Sequence, residues 1–271
     1  MRNVIAHYHT YKNSGTSFDR ILQDNFGERH ITFDGPFPYM VISQREFHKI
    51  IANHPDAIAF SSHQIRLPVP ASAHLNVLPI AFVRHPYLRI HSVYEFGRRR
   101  TDPNPDEQLA RDMDFNTWLK QMRSKRRMVN INNSQVEIYG SVYGQPTNMV
   151  ASGNELLGYW SEGDISQAKR NLLTVPLLAR TEYFDQDVSH FNRTLAEFDI
   201  EFRFSGGVSD NVSSTTAGMS FKEKIELIQS ELDDENSAWL AAANQNDLEL
   251  YNFASEIIES RSRGSKHDHE R

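Results

Sequence analysis

The residues best suited to chemistry lie near the amino terminus, in the stretch 4–26, VIAHYHTYKNSGTSFDRILQDNF. Lys12 supplies a mobile cation just after an apolar run. Five small or polar residues follow it directly: Asn13, Ser14, Gly15, Thr16 and Ser17. Their hydroxyl and backbone N–H groups can donate hydrogen bonds, and a glycine lets a ligand approach the backbone closely. Such donors beside a positive charge suit an anion such as phosphate.

The elements that must position these groups are a strand, a tight loop and a helix. The apolar run that starts at Val4 predicts the strand, and apolar side chains three and four residues apart predict a helix from about Phe18 to Phe26. This arrangement directs free N–H groups and the positive helix end at an anion. The loop is not a Walker A motif, because Lys12 precedes the glycine. An ordinary turn with a serine N-cap is the alternative interpretation.

Two further predicted strands end in polar side chains. The strand at 57–60 (AIAF) is followed by SSH, which ends at His63, and the strand at 78–83 (LPIAFV) is followed by Arg84. Because the carboxyl ends of parallel strands meet at one edge of a sheet, we expect Lys12, His63 and Arg84 to share one crevice. Two cationic phosphate sites that flank a histidine predict a ligand with phosphates at both ends and a proton transfer between them.

A helix is predicted to begin at Pro86, since proline is favoured in the first helical turn. It places Arg89 and Ser92 three residues apart on one face. Arg84 with the Ser92 hydroxyl suits a phosphate dianion, because a guanidinium can bind phosphate through two N–H groups. A salt bridge at the strand end is the alternative role for Arg84.

His63 is the candidate general base. Imidazole has a pKa near neutrality, and this residue follows a buried strand at the ligand-binding edge. A hydrogen-bonded surface histidine is the alternative interpretation. His9 is the rival base, although a histidine inside a strand also suits packing or orienting the loop.

Two segments resemble motifs of the sulfotransferases that use 3′-phosphoadenosine 5′-phosphosulfate (PAPS). Residues 9–17, HTYKNSGTS, resemble the H-x-P-K-x-x-G-T-S loop of Golgi-type enzymes (heparan sulfate 2-O-sulfotransferase-like) and related bacterial carbohydrate sulfotransferases. In that family the loop holds the 5′-phosphosulfate. Residues 82–94, FVRHPYLRIHSVY, resemble the R-D-P-x-x-R-x-x-S segment, whose first arginine and serine bind the 3′-phosphate. Weaker matches at 62–63, 148–158, 181–185 and 244–251 follow in the family's order, so the resemblance spans nearly the whole chain.

The resemblance implies a P-loop-like three-layer fold and in-line transfer of a sulfuryl group from PAPS to an acceptor hydroxyl, for which a saccharide is the expected carrier. Lys12 would stabilise the leaving 5′-phosphate, residues 13–17 would hold the phosphosulfate, and His63 would deprotonate the acceptor. The rest of the expected nucleotide site comprises Arg84, Arg89 and Ser92. No metal is expected.

The chain departs from the family pattern at two positions. Tyr11 replaces the usual loop proline, and His85 replaces the usual aspartate after Arg84. Both changes keep the phosphate-contacting groups but affect how firmly the nucleotide is held. Glu182 can orient the acceptor or hold an arginine, and residues 211–214 can close over the nucleotide or form a flexible polar loop.

Composition narrows the function classes. A net charge of −6 and a pI near 6.1 argue against general nucleic-acid binding, which needs a basic surface. The absence of cysteine excludes disulfides and thiolate metal sites. We find neither a signal peptide nor a membrane-length apolar run, so we expect a cytoplasmic location. Two other functions stay open: an ATP-dependent P-loop kinase and a non-catalytic nucleotide- or glycan-binding protein.

The order of predicted elements indicates an α/β protein with a central, mostly parallel sheet flanked by helices. We expect a single domain at 1–259 and a disordered charged tail at 260–271. Among the intervening segments, the charge-rich part 98–111 is predicted to be an exposed loop. Continuous helices are predicted at 184–198 and 238–258.

Overall fold

A five-stranded parallel sheet forms the centre of the protein in this computed structural model, which describes residues 1–37, 40–124, 130–141, 149–152, 155–158, 164–207 and 218–267. The strands are β1 (Arg2–Tyr8), β2 (His30–Thr32), β3 (Ala59–Ser62), β4 (Leu75–Val83), β5 (Met149–Ser152), β6 (Glu155–Gly158) and β7 (Leu177–Arg180). The sheet order is β2-β3-β1-β4-β7, while β5 and β6 form a separate antiparallel pair. The predicted α/β class is confirmed.

Helices cover both faces of the sheet. In chain order they are α1 (Gly15–Phe26), α2 (Gln44–Asn53), α3 (Pro86–Arg99), α4 (Pro105–Asp112), α5 (Phe115–Ser124), α6 (Ser134–Gly140), α7 (Ile165–Leu173), α8 (Phe184–Ser189), α9 (Phe191–Ala196), α10 (Phe221–Ser230), α11 (Asp234–Ala243) and α12 (Gln245–His267). Within the described residues, every helix is too short or too polar to cross a lipid bilayer.

Successive side chains of β1 point to opposite faces of the sheet, and this alternation divides the core. Val4 and Ala6 pack in a cluster that includes side chains of α2, α6, α7 and α12. Ile5 packs on the other face in a cluster with Phe18 and Leu22 of α1 and with side chains of α8 and α9. A third cluster joins α3, α4, α5, α10 and α11 beyond the sheet. The two layers of helices around one sheet match the predicted three-layer arrangement.

Several local signals in the sequence are confirmed. Ser43 and Glu46 form a reciprocal capping box at the start of α2, and Pro86 occupies the first turn of α3. The predicted loop at 98–111 is wrong at 98–99, where α3 continues, and at 105–111, where α4 forms. Asn104 caps α4 by accepting hydrogen bonds from two backbone N–H groups, and Glu107 completes a capping box. The capping residues therefore favour a helix here despite the high local charge.

The helices predicted near the carboxyl terminus are divided. Residues 184–198 form the two short helices α8 and α9, and the predicted helix at 238–258 is split between α11 and α12 at Asn244. The side-chain amide of Asn244 donates to the carbonyls of Leu240 and Ile131, at 3.1 and 2.9 Å. These bonds terminate α11 and connect its end to the segment before α6.

The disordered tail predicted at 260–271 is wrong for its first eight residues, because α12 continues to His267. Ile258 is buried in the core, and one turn later the Arg261 guanidinium donates to the carbonyls of Val175 and Leu173, at 2.6 and 3.2 Å. These contacts hold the helix against the end of α7. Residues 268–271 lie outside the described part of the chain.

Candidate functional site

Polar side chains follow all five strands of the parallel sheet at its carboxyl edge. Asp34 follows β2, His63 follows β3, Lys12 follows β1, Arg84 follows β4 and Glu182 follows β7. The strand order is β2-β3-β1-β4-β7, so the two acidic side chains, Asp34 and Glu182, lie at the outer ends of this row and the basic ones lie between them. The predicted juxtaposition of strand ends is confirmed, and this edge is where open α/β sheets bind ligands.

The loop from β1 to α1 is compact and strained. Lys12 and Ser14 both adopt left-handed backbone conformations, with φ of 63° and 60°. No side chain caps the start of α1. The fully buried amide of Asn13 donates to the Phe82 carbonyl at 2.7 Å and to Gln135 Oε1 at 2.8 Å. Asn13 thus fixes the loop to β4 and α6, and its side chain does not face solvent.

Gly15 is needed for a reason that its sequence position did not reveal. A Cβ atom at Gly15 would lie 2.0 Å from Cδ2 and 2.2 Å from Nε2 of His9. The imidazole therefore occupies the space beside the first residue of α1. The sequence predicted that a ligand would approach the backbone here, whereas in this structure a histidine ring does.

Lys12 belongs to a cluster of cations beside α3. Its ammonium lies 4.1 Å from the centre of the Phe96 ring. Burial, together with the nearby positive charges of Arg84 and Arg99, lowers the pKa of Lys12 to about 8. Excess positive charge in a partly buried site favours an anionic ligand, because an anion would relieve this repulsion.

Arg84 contacts the same loop directly. Its Nη1 donates to the Lys12 carbonyl at 2.8 Å, and its Nε lies 3.8 Å from Glu182 Oε1. Glu182 Oε1 also accepts from the His85 backbone N–H at 3.1 Å. The Arg84 side chain is 21% exposed, while its Nε is buried without a hydrogen-bond partner among the described residues. Of the two roles predicted for Glu182, its contacts favour holding an arginine.

Arg89 and Ser92 occupy different environments. Arg89 is only 1% exposed, and its Nη2 donates to the Asn130 carbonyl at 2.6 Å. Burial lowers the pKa of Arg89, and the charges of Asp247 and Glu137 oppose that shift. Ser92 is partly exposed and lies one turn before Phe96 on α3, on the side of the helix that Lys12 approaches. Arg89 therefore lies beneath the site, and Ser92 lies at its surface.

His63 forms an oriented pair with an aspartate. Its Nδ1 lies 2.8 Å from Asp34 Oδ2, while Asp34 Oδ1 accepts from the His63 backbone N–H and from the Ser62 hydroxyl at 2.9 and 2.8 Å. The His63 side chain is about half exposed. A carboxylate that accepts from Nδ1 leaves Nε2 free to accept a proton. Sequence reasoning missed Asp34, because the three-residue strand β2 before it carries too short a pattern to be recognised.

A second aspartate organises the histidines of β1. Asp19 of α1 accepts from His7 Nδ1 at 2.7 Å and from His9 Nδ1 at 2.8 Å, one on each carboxylate oxygen. Burial opposes ionisation of Asp19, but these hydrogen bonds outweigh it and keep its pKa below the ordinary value. Burial lowers the pKa of His7 to about 4, so this ring is neutral at physiological pH. Sequence reasoning missed Asp19, because the sequence does not show that His7 and His9 both point towards α1.

The ligand atoms of His7, His9 and Asp19 lie within 4.8 Å of one another, as a metal site would require. The nitrogen-to-oxygen separations are, however, those of ordinary hydrogen bonds. The other ring nitrogen of His7, Nε2, is buried without a partner, whereas a metal-ligating histidine usually donates from it to a second group. We therefore interpret these residues as a hydrogen-bonded network.

A cleft of about 540 Å³ lies beside α3. It is lined by charged side chains of α3, the α4–α5 connection and α10, and His91 and Glu231 approach each other there to 3.4 Å. None of the predicted site residues lines it. Residues 211–214 lie outside the described residues, as do residues 148 and 153–154 of the 148–158 match.

No protein-family model matches the chain. A relative from the archaeon Archaeoglobus fulgidus, described as an uncharacterized protein, is 28% identical over 256 residues. The aligned region covers 92% of this chain and 95% of the relative. The similarity therefore extends over almost the full length of both chains.

Glu137, which lies near Arg89 and Asp247, should make stability depend on pH. Burial, together with the negative charge of Asp247, raises its pKa from 4.5 to about 8, although Arg89 opposes the shift. The folded state then keeps a proton that the unfolded chain releases above pH 4.5. We expect the free energy of unfolding to fall as pH rises from about 4.5 to about 8.

Urea unfolding across this pH range should show a smaller decrease in Glu137→Gln than in the wild type. Glu226→Gln, at an exposed position of α10, is the control and should follow the wild type. Parallel curves for wild type and Glu137→Gln would contradict the prediction.

Proposed function

We propose that the protein is a PAPS-dependent sulfotransferase that modifies an acceptor hydroxyl, with a saccharide as the expected acceptor class. The observation that carries this proposal is the hydrogen bond from Arg84 Nη1 to the Lys12 carbonyl. It joins the two cationic segments that resemble the 5′-phosphosulfate loop and the 3′-phosphate segment of that family. A nucleotide with phosphates at both ends could bridge them only if they were close together.

The distribution of charge supports the same proposal. Lys12, Arg84 and Arg99 interact repulsively, and Glu182 is the carboxylate that lies next to Arg84. Burial raises the pKa of Glu182, and the charge of Arg84 opposes that shift. The cations Lys12, Arg84 and Arg99 thus outnumber this carboxylate at the edge of the sheet. A bisphosphate nucleotide supplies the opposite charge.

The proposed reaction is an in-line displacement. A lone pair of the acceptor oxygen forms a bond to sulfur while the bond from sulfur to the 5′-phosphate oxygen breaks. The acceptor proton moves to Nε2 of His63, and the bond-breaking electrons remain on the phosphate, whose charge Lys12 stabilises. Asp34 orients His63 for this transfer through its contact with Nδ1. PAP, adenosine 3′,5′-bisphosphate, is the second product.

Two predicted contact residues have altered roles in this proposal. Arg89 is buried, so it supports α3 from beneath and leaves the nucleotide contact to Arg84 and Ser92. The Asn13 side chain is also buried, so it shapes the loop. Ser14, Thr16 and Ser17 keep their proposed positions at the start of α1, where backbone N–H groups and hydroxyls can bind phosphosulfate oxygens.

Calorimetry with PAP and with ATP tests the nucleotide class. The wild type should bind PAP without added Mg²⁺ and more tightly than it binds ATP with Mg²⁺. Arg84→Ala should weaken PAP binding by about tenfold to a hundredfold, because a hydrogen bond from a charged donor is lost. Arg170→Ala, at an exposed position of α7, is the control. Magnesium-dependent preference for ATP would instead favour a kinase.

His63→Ala separates chemistry from nucleotide binding. We expect turnover with PAPS and a responsive saccharide acceptor to fall by about a hundredfold or more, because a general base is removed. PAP affinity should fall far less than turnover, since His63 lies on the β3 side of β1 and the cations lie on the β4 side. Normal turnover of the variant would show that His63 is not the base.

The lowered pKa of Lys12 predicts a pH-dependent affinity. Binding of PAP raises that pKa, because the anion favours the charged ammonium. The contribution of Lys12 to affinity should therefore be constant well below pH 8 and fall by up to about tenfold per pH unit above it, until the pKa of the complex is reached. In Lys12→Arg the guanidinium stays charged, so this fall above pH 8 should be absent. A flat calorimetric profile in the wild type would contradict this assignment.

A further inference from the structure

The structure points to His9 as a further ligand-binding residue of this site. We propose that its imidazolium donates a hydrogen bond from Nε2 to the oxyanion bound at the start of α1, and that Asp19 positions it for this contact. The inference rests on the proposed function for the identity of the nucleotide. It adds a binding role for a residue that sequence reasoning considered as a base or as a packing residue.

Asp19 determines which ring nitrogen of His9 is available. Its Oδ2 lies 2.8 Å from His9 Nδ1, and a carboxylate can only accept, so Nδ1 carries hydrogen. Asp19 remains ionised, because its pKa is held low by the two histidine contacts. Its negative charge next to Nδ1 stabilises a positive charge on the ring. Nε2 is the nitrogen left for a ligand.

The position of Nε2 indicates what that ligand is. The edge of the ring that carries Nε2 and Cδ2 lies against Gly15, the first residue of α1. The proposed phosphosulfate site uses the N–H groups of this same turn. An oxyanion bound there would meet Nε2 as well as the backbone donors, and the two kinds of donor would act together.

The stack of His9 on His63 separates the roles of the two histidines. Their ring centroids are 4.0 Å apart with an interplanar angle of 29°, so two imidazolium charges would repel strongly. His9 is the more buried of the two, with 12% of its side chain exposed against 49% for His63. Asp19 is likewise less exposed than Asp34 and is less screened by water. His9 therefore has the more enclosed carboxylate partner, which suits it to donate to an anion, and His63 is left as the proton acceptor.

Three titratable groups contact His9 directly, namely Asp19 of α1, His7 of β1 and His63 after β3. His30 of β2 lies 3.9 Å from Asp19. Burial lowers the pKa of His7 and of His30, which disfavours a positive charge on either ring. Asp19 and the bound anion are therefore the negative charges that balance His9.

Matched substitutions test the proposal. His9→Gln keeps a neutral polar side chain but removes the charge, and His7→Gln alters the other histidine that shares Asp19. By calorimetry at pH 6.5, PAP binding should be about tenfold or more weaker in His9→Gln and should weaken clearly less in His7→Gln, which disturbs Asp19 but removes no ligand contact. Equal loss in both variants would indicate a structural role only and overturn the proposal.

A measurement on the wild type tests the His9 contact separately from the proposed function. Imidazole nitrogen resonances should show His9 becoming protonated at pH 7 when PAP or inorganic sulfate is added. If PAP binding depends on Arg84 while His9 stays neutral and His9→Gln binds normally, this inference fails and the proposed function stands. If PAP does not bind but sulfate protonates His9, the proposed nucleotide function fails and the anion contact stands. No response to either anion would overturn both.

Discussion

Parallel pairing of β1 with β3 on one side and β4 on the other is the constraint on which the site depends. Ile5 pairs with Ala59 of β3 and with Leu78 of β4, and the same register continues to the carboxyl ends of the strands. The loops after these strands must therefore emerge side by side. Residues separated by more than 70 positions, such as Lys12 and Arg84, come into hydrogen-bond contact for this reason.

The alternation of side chains in β1 also determines the direction in which its histidines point. His7 points to the same face as Ile5, and both pack towards α1. His9 continues this face beyond the end of the strand, so Asp19 on α1 can contact both histidines. A shift of one residue in β1 would turn the two rings away from Asp19 and into the opposite layer. The hydrophobic pairing of the strand thus also orients the polar groups.

Sequence reasoning recovered the parts of this arrangement that depend on local chemistry. The strand ends at Lys12, His63 and Arg84 follow from apolar runs and their polar successors, and the parallel edge brings them together. The partners Asp19 and Asp34 could not be recovered, because each depends on the direction of a side chain that only packing determines. Burial of Arg89 was missed for the same reason. Residue spacing shows which side chains share a helix face, but it does not show how deeply that face is buried.

The site is divided by β1 into two halves that differ in how their charged groups are paired. On the β4 side, Lys12 and Arg84 are cations with too little nearby negative charge. On the β3 side, His9 and His63 each have a carboxylate partner. The transfer we propose needs charge stabilisation at the leaving phosphate and a proton acceptor at the attacking hydroxyl, and these demands conflict within one pocket. Placing the cations and the histidines on opposite sides of one strand keeps the two environments apart.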